Sequence, residues 1–244
     1  MVARSLACIA VVVVSSAASL GIAHAQTRAV IELFTSQGCS SCPAADKLLA
    51  EFASDPSLVS ISLPIDIWDY LGWKDTLASP RHTARQRAYS KVRGDREVYT
   101  PQVVVNGSLH VLGSDKAAIE RAIGKTRENS TTLSIPVKVS AGGGRLNVAI
   151  PDHADAAMEV WVLGVSKAVT VAIKRGENKG KTITYHNVAR RWHQLDTGDG
   201  KVNSWSVPVE DFGGGDINGA AVLVQTGTSD KPSVMLGAAM ASLR

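Results

Sequence analysis

Cys39 and Cys42 stand with two residues between them in Gln37-Gly38-Cys39-Ser40-Ser41-Cys42-Pro43, the segment of this 244-residue chain with the most chemical content. Two thiols at this spacing can close one disulfide, or one can attack a substrate disulfide while the other resolves the intermediate. Three readings compete. Structural zinc normally takes a second ligand pair, yet the third cysteine is Cys8, and His82, His110, His153, His186 and His193 are scattered without paired spacing. A purely structural disulfide is possible, but it would close a very short loop with a small chain-entropy gain. A redox pair fits best, because the flanks offer a strand before the cysteines and a helix after them. Ser40 and Ser41 could hydrogen-bond the Cys39 sulfur, although serines also suit a helix start for their own sake.

The elements that must position the pair follow from pattern. Ala29-Val30-Ile31-Glu32-Leu33-Phe34 is a short apolar, β-branched strand broken by Gln37-Gly38. Ala45, Leu48, Leu49 and Phe52 recur at helical spacing until Asp55-Pro56, which places Cys39 at a helix N-terminus where free N–H groups favour a thiolate. Leu58 to Ile65 is a second strand. Ser79-Pro80 opens a helix before Gly94, with Ala84, Ala88, Tyr89 and Val92 as its apolar face. Its other positions, including Arg81, His82, Arg85 and Arg87, read as a solvated charged face; the sharper alternative puts Arg85 or His82 over the cysteines. Val103-Val104-Val105 and Leu109 to Leu112 flank Asn106-Gly107 as a hairpin, and Ser114 caps a last helix carrying Ala118, Ile119, Ala122 and Ile123. Trp68, Tyr70 and Trp73 read as core rather than as a substrate platform.

The N-terminus reads as an export signal: Arg4, an apolar run from Leu6 to Val14, then Ala23-His24-Ala25 before Gln26. Cleavage there leaves residues 26–244, removes Cys8 and leaves no stable membrane span; the expected location is periplasmic or secreted. A net charge of +4, with no dense basic tract, does not point to nucleic acid.

The order strand, CxxC helix, strand, helical stretch, hairpin, helix, with Thr100-Pro101 before the hairpin, resembles a thioredoxin-like domain. The resemblance implies a cis bond before Pro101, opposite the cysteines, with the Thr100 backbone binding a substrate chain. It also makes Glu32 the counterpart of a buried acid that relays the proton of the second cysteine; a carboxyl in that apolar run is otherwise costly to bury. Ile31 to Pro43, Trp68 to Asp75, Thr83 to Tyr89 and Arg175-Gly176-Glu177-Asn178-Lys179-Gly180 resemble an exported bacterial thioredoxin-like family, domain of unknown function 1223. Pro64 departs from that pattern, where a His is expected.

Beyond Leu133 the pattern changes to short alternating runs: Leu133–Ser140, Arg145–Ile150, Glu159–Ser166, Val169–Lys174, Lys181–Leu195, Val202–Val209, Ala220–Gln225 and Val234–Ala241. The expected organisation is α+β overall: a thioredoxin-like domain over 26–127 with a helical insertion at 66–97, a linker from Thr126 to Thr132, and an all-β sandwich-like domain over 133–244. The Arg175–Lys181 loop reads equally as a contact patch or a hairpin turn. The expected function is thiol-disulfide exchange with an exported or periplasmic protein substrate. Cys39 is the nucleophile, Cys42 the resolver, Glu32 the proton relay, and Thr100 and Pro101 the substrate clamp, with no metal or cofactor. The alternatives are a non-catalytic envelope binding or assembly protein with a structural disulfide, and a Cu(I)-binding thiol protein.

Overall fold

The structure is a computed structural model that describes residues 27–151, 158–198 and 201–243. The expected signal segment, Cys8 and His153 lie outside the described residues. The first part runs β1 (Ala29–Thr35), α1 (Cys42–Ala53), β2 (Leu58–Pro64), a short 3-10 turn at Asp69–Leu71, α2 (Pro80–Arg93), β3 (Gln102–Val105), β4 (Leu109–Leu112) and α3 (Lys116–Thr126). It continues with β5 (Lys138–Gly142), β6 (Arg145–Ala149), β7 (Met158–Ala172), β8 (Thr182–Leu195), β9 (Ser204–Pro208), the one-turn α4 (Val209–Phe212), β10 (Gly219–Thr228) and β11 (Lys231–Ser242).

β1 is buried along its whole length, which explains its near-continuous apolar sequence. It pairs parallel with β2, from Ala29↔Leu58 to Thr35↔Pro64, and antiparallel with β3, from Ile31↔Val105 to Phe34↔Gln102. Asn106 and Gly107 both take positive φ at the centre of a turn closed by Ser108 N–H donating to Val105 O, and with Ser108 they form the three-residue connection between β3 and β4. Asn106 is also a tie: its Oδ1 accepts from Val30 N at 2.7 Å and its Nδ2 donates to Thr126 Oγ1 at 2.8 Å.

Among the described residues, the strands form an eight-stranded sheet ordered β11-β10-β7-β8-β2-β1-β3-β4 and a three-stranded sheet ordered β5-β6-β9. This is a mixed α+β architecture with one large mixed sheet and few helices. The large sheet crosses the linker: β8 pairs parallel with β2 at Ser62↔Val188, so the long C-terminal strands extend the N-terminal sheet. One face of it is a continuous core under α2, joining Val30, Phe34, Ile61 and Leu63 to Trp161, Leu163 and Leu223. The other face is divided. α1 and α3 cover Ile31, Leu33 and Val103, while the three-stranded sheet packs Leu146, Val148 and Val207 against Val160, Val162 and Val222.

Three sequence expectations change here. Glu159–Ser166 and Val169–Lys174 are one strand, because Ser166 and Ala168 stay paired with Val188 and His186 beyond a bulge at Gly164/Val165. The first part of the Leu133–Ser140 run follows β11 instead of joining β5: Leu133 and Ile135 donate their N–H groups to Met235 O and Leu236 O. The face of α2 turned to the core is polar, with His82, Arg85, Gln86 and Tyr89 buried, while Ala84 and Val92 are exposed. Arg85 and His82 therefore do not belong to a solvated face. Helical periodicity located the helix through Tyr89 and the Ser79 cap, whose hydroxyl accepts from Arg81 N, but apolarity did not mark the buried side.

Candidate functional site

Cys39 and Cys42 are joined as a disulfide with 5.4 Å between their Cα atoms. α1 begins at Cys42 with Pro43 in its first turn, so Cys39 stands in the turn before it, closed by Cys42 N–H donating to Cys39 O at 3.2 Å. Cys42 is fully buried and Cys39 is 5% exposed. Ser41 Oγ lies 3.4 Å from Cys39 Sγ and 3.5 Å from Thr100 O, which brings the CxxC turn against the loop before Pro101. The Thr100-Pro101 bond is cis. Trp68 Nε1 donates to Thr100 Oγ1 at 2.8 Å, and a Cβ added at Gly38 would meet Trp68 Cβ at 3.0 Å, so this approach suits glycine.

Two segments far apart in sequence hold the turn. From the 66–79 stretch, Asp75 Oδ2 accepts Gln37 N–H at 2.7 Å and Oδ1 accepts Leu77 and Ala78 N–H, while Trp73 Nε1 donates to Gln37 Oε1 at 2.8 Å. Burial pushes the Asp75 carboxyl up in pKa, against the pull of these N–H groups. From the β7–β8 hairpin, Asn178 is fully buried and donates through Nδ2 to both Gln37 O at 2.9 Å and Cys39 O at 2.8 Å. Its neighbour Glu177 accepts Ser40 N–H at 3.0 Å. The sequence alone left this loop between turn and contact patch; its place across the CxxC turn was visible only as an unusual Arg-Gly-Glu-Asn-Lys-Gly string.

Glu32, the expected relay, sits on the α2 face of β1. Its Oε1 accepts from Arg85 Nε at 2.6 Å and its Oε2 from Tyr89 OH at 2.5 Å. Arg85 also donates to Gln225 Oε1 at 2.8 Å and stacks over Tyr89 and Trp192. Burial works against the Arg85 charge, but Glu32, together with Tyr89 and Glu159, outweighs it and the pKa is raised. His82 lies between Pro64 O, 2.9 Å from Nδ1, and Trp192 Nε1, which donates to Nε2 at 3.3 Å. Burial holds its pKa down to about 4. Glu32, Arg85 and His82 thus bind the two parts of the sheet together, and their bonds go to partners other than the cysteines.

Asp46 is the buried acid that sequence reading missed. It lies one turn after Cys42 on α1, where positions four apart share a face with Cβ atoms about 5–6 Å from each other. Its Oδ1 accepts from Thr35 Oγ1 at 2.8 Å, whereas Oδ2 has no hydrogen-bond partner among the described residues. The Tyr185 hydroxyl of β8 is likewise buried and unpartnered. Burial raises the Asp46 pKa to about 8, with Thr35 opposing and Asp75 adding to the rise. The available signal was an aspartate between Ala45 and Leu48 at a core-facing helical position.

These features define an α+β protein with a buried CxxC disulfide, held between the start of a helix and a loop from its C-terminal strands. Residues 30–225 match the family described as protein of unknown function (DUF1223), and the chain belongs to that family. It is also similar to the X-ray crystal structure of protein AGR_C_4864 from Agrobacterium tumefaciens, with a TM-score of 0.75 and 30% identity over 89% of this chain and 95% of that one. No functionally curated protein matches the chain.

Proposed function

We propose that this protein is an exported thiol-disulfide oxidoreductase, a thioredoxin-like unit followed by a sandwich-like β unit, acting on protein thiols or disulfides of the periplasm or exterior. The observation that carries the reading is the Cys39–Cys42 disulfide at the start of α1, with Ser41 bridging Cys39 Sγ to the Thr100 carbonyl. In the reductive direction the Cys39 thiolate attacks a substrate disulfide, forming a mixed disulfide and releasing one substrate thiolate. Cys42 then gives its proton to ionised Asp46 and attacks Cys39 Sγ; the Cys39–Cys42 bond forms, the mixed bond breaks, and the second substrate thiolate leaves. An external dithiol resets the pair, and the oxidative direction is the reverse. Asp46 takes the relay role because it shares the α1 face of Cys42 and has a free oxygen, while both oxygens of Glu32 are bonded elsewhere. Thr100 and Pro101 are the proposed clamp for the substrate backbone.

The competing reading, a closed disulfide in a non-catalytic envelope protein, draws support from the low exposure of Cys39. Equilibrating residues 26–244 with glutathione, followed by thiol trapping, separates the two. A reduction potential well above about −300 mV, with exchange abolished in Cys39→Ser and a trapped mixed disulfide in Cys42→Ser, is the expected result. A lower potential with an inert Cys39 overturns the proposal.

A further inference from the structure

The β7–β8 hairpin loop reaches the CxxC turn from the C-terminal half of the chain, and although basic overall it sets one carboxylate against that turn. The loop is closed on itself: Lys181 N–H donates to Asn178 O, Gly180 N–H to Ile173 O, and Lys179 N–H to Gly176 O. Gly176 takes a φ of +75°, and a Cβ there would come within 3.2 Å of Trp73 Cβ, so the loop seats against the 66–79 segment only with glycine. Asn178, buried and bonded to Gln37 O and Cys39 O, then fixes where its neighbour stands. That neighbour is Glu177, whose carboxylate accepts Ser40 N–H at 3.0 Å.

Ser40 N–H lies in the turn that leads into α1, directly after Cys39, and an N–H donor there, together with the helix dipole, ordinarily favours a thiolate beside it. We infer that Glu177 is a positioning residue that holds the reactivity of Cys39 down from the far half of the chain, by occupying Ser40 N–H and setting a carboxylate beside the nascent thiolate. Other charged groups around the turn are Asp75 under Gln37, Asp46 one turn along α1, Lys181, whose Nζ donates to Asn178 Oδ1 at 2.8 Å, and the exposed Arg175 and Lys179 two residues either side of Glu177 on the loop itself. Glu177 differs from both aspartates in bonding the residue between the cysteines. Its charge destabilises the reduced, ionised form relative to the disulfide, which makes the pair a weaker oxidant. The C-terminal strands thereby acquire a role at the redox site: they deliver the residue that sets the potential.

The consequence for exchange rests on the oxidoreductase reading, but the effect on the thiol does not, and the experiment keeps them apart. Wild type and Glu177→Gln, which retains an acceptor for Ser40 N–H, are reduced with a phosphine, and the Cys39 pKa is read from the pH dependence of alkylation. The potential of each is then measured against glutathione above that pKa. The expected result is an acid dissociation constant for Cys39 raised about fivefold, fading as salt is added, and a potential raised by about 20 mV, which is fivefold for a two-electron couple. Glu177→Asp serves as the conservative control, returning most of the charge effect. Equal Cys39 pKa values in wild type and Glu177→Gln at low salt, with both proteins folded by circular dichroism, overturn the inference whether or not the pair exchanges. A shifted pKa with no exchange in either protein upholds the role of Glu177 and removes the oxidoreductase reading instead.

Discussion

Two buried carboxyl groups, Glu32 on β1 and Asp46 on α1, lie on opposite faces of the same sheet and are treated in opposite ways. Glu32 has Arg85 and Tyr89 on its two oxygens, and the guanidinium is in turn bonded to Gln225 and stacked on aromatic rings. Among the described residues, Asp46 has one hydroxyl partner, one free oxygen and no cation bonded to it. A fully compensated buried charge fixes a structure, and here it joins residues 53 and 140 positions from Arg85. A half-satisfied carboxyl stays able to gain and lose a proton near neutral pH, which suits chemistry beside Cys42. Burial alone therefore does not separate a structural acid from one left able to titrate; the partner set does.

The largest test removes the compensation on the α2 face. Arg85→Ala leaves Glu32 buried without its cation and should cost about 3–5 kcal/mol in urea unfolding. Glu32→Gln, which keeps an acceptor for Arg85 but strands a guanidinium charge, should cost a comparable part of that. If either variant unfolds within 1 kcal/mol of wild type, or about that small a margin, the network is ornamental and the contrast with Asp46 collapses.

The sequence carried the first half of the fold through local signals: β-branched runs for β1 to β3, Ser79-Pro80 for α2, Asn106-Gly107 for the hairpin, and helical spacing for α1 and α3. It carried the cysteine pair for the same reason, since CxxC is a local motif. What it could not carry is pairing at long range. That β8 would lie beside β2, and that Asn178 would reach Cys39 across 139 positions, depends on which strand edge is free, and no window of residues records that. Glu32 was legible as a buried acid, yet its partners Arg85 and Gln225 were not, because α2 buries a polar face that hydropathy reads as solvated. Asp46 was hidden by the opposite effect, a single acid within an otherwise apolar helical stripe.

The acid on the α1 face and the histidine on the α2 face give the contrast a pH signature. Asp46 rises from 3.8 to about 8 on folding, so its contribution is fully present below pH 3.8 and is lost as pH climbs to about 8. His82 falls from 6.5 to about 4, so its contribution is present above pH 6.5 and is lost as pH drops to about 4. Each group tilts stability by about 1.4 kcal/mol per pH unit within its window, with opposite sign. The two oppose each other from pH about 4 to 6.5, and from there to about 8 the Asp46 loss is no longer offset by His82. Asp46→Asn, which can still accept from Thr35 and can donate toward Tyr185, should gain up to a few kcal/mol over wild type at pH 8 and little at pH 4. His82→Gln should do the reverse, gaining on wild type toward pH 4. Parallel stability curves for wild type and Asp46→Asn across this range would show that the free oxygen on α1 is not a titrating site.

The smallest effects sharpen the comparison at the rim of the cysteine turn, where two neighbouring aromatics differ in what they touch. Tyr70 is 75% exposed and meets Trp68 with ring centroids 6.2 Å apart. Trp68 is half-buried, packs on Gly38 and bonds Thr100 Oγ1. Trp68→Phe keeps most of the ring packing and deletes one hydrogen bond, so it should cost about 1 kcal/mol and loosen the loop that presents Thr100 to Ser41. Tyr70→Ala should change stability by less than about 0.5 kcal/mol, as for other surface substitutions. Measured together by urea unfolding and by the alkylation rate of reduced Cys39, the pair separates support of the site from mere proximity to it. A Tyr70→Ala variant that slows capture of a protein thiol while leaving stability and alkylation unchanged would move Tyr70 from bystander to substrate contact, since only a binding partner could feel a side chain that the folded chain hardly touches.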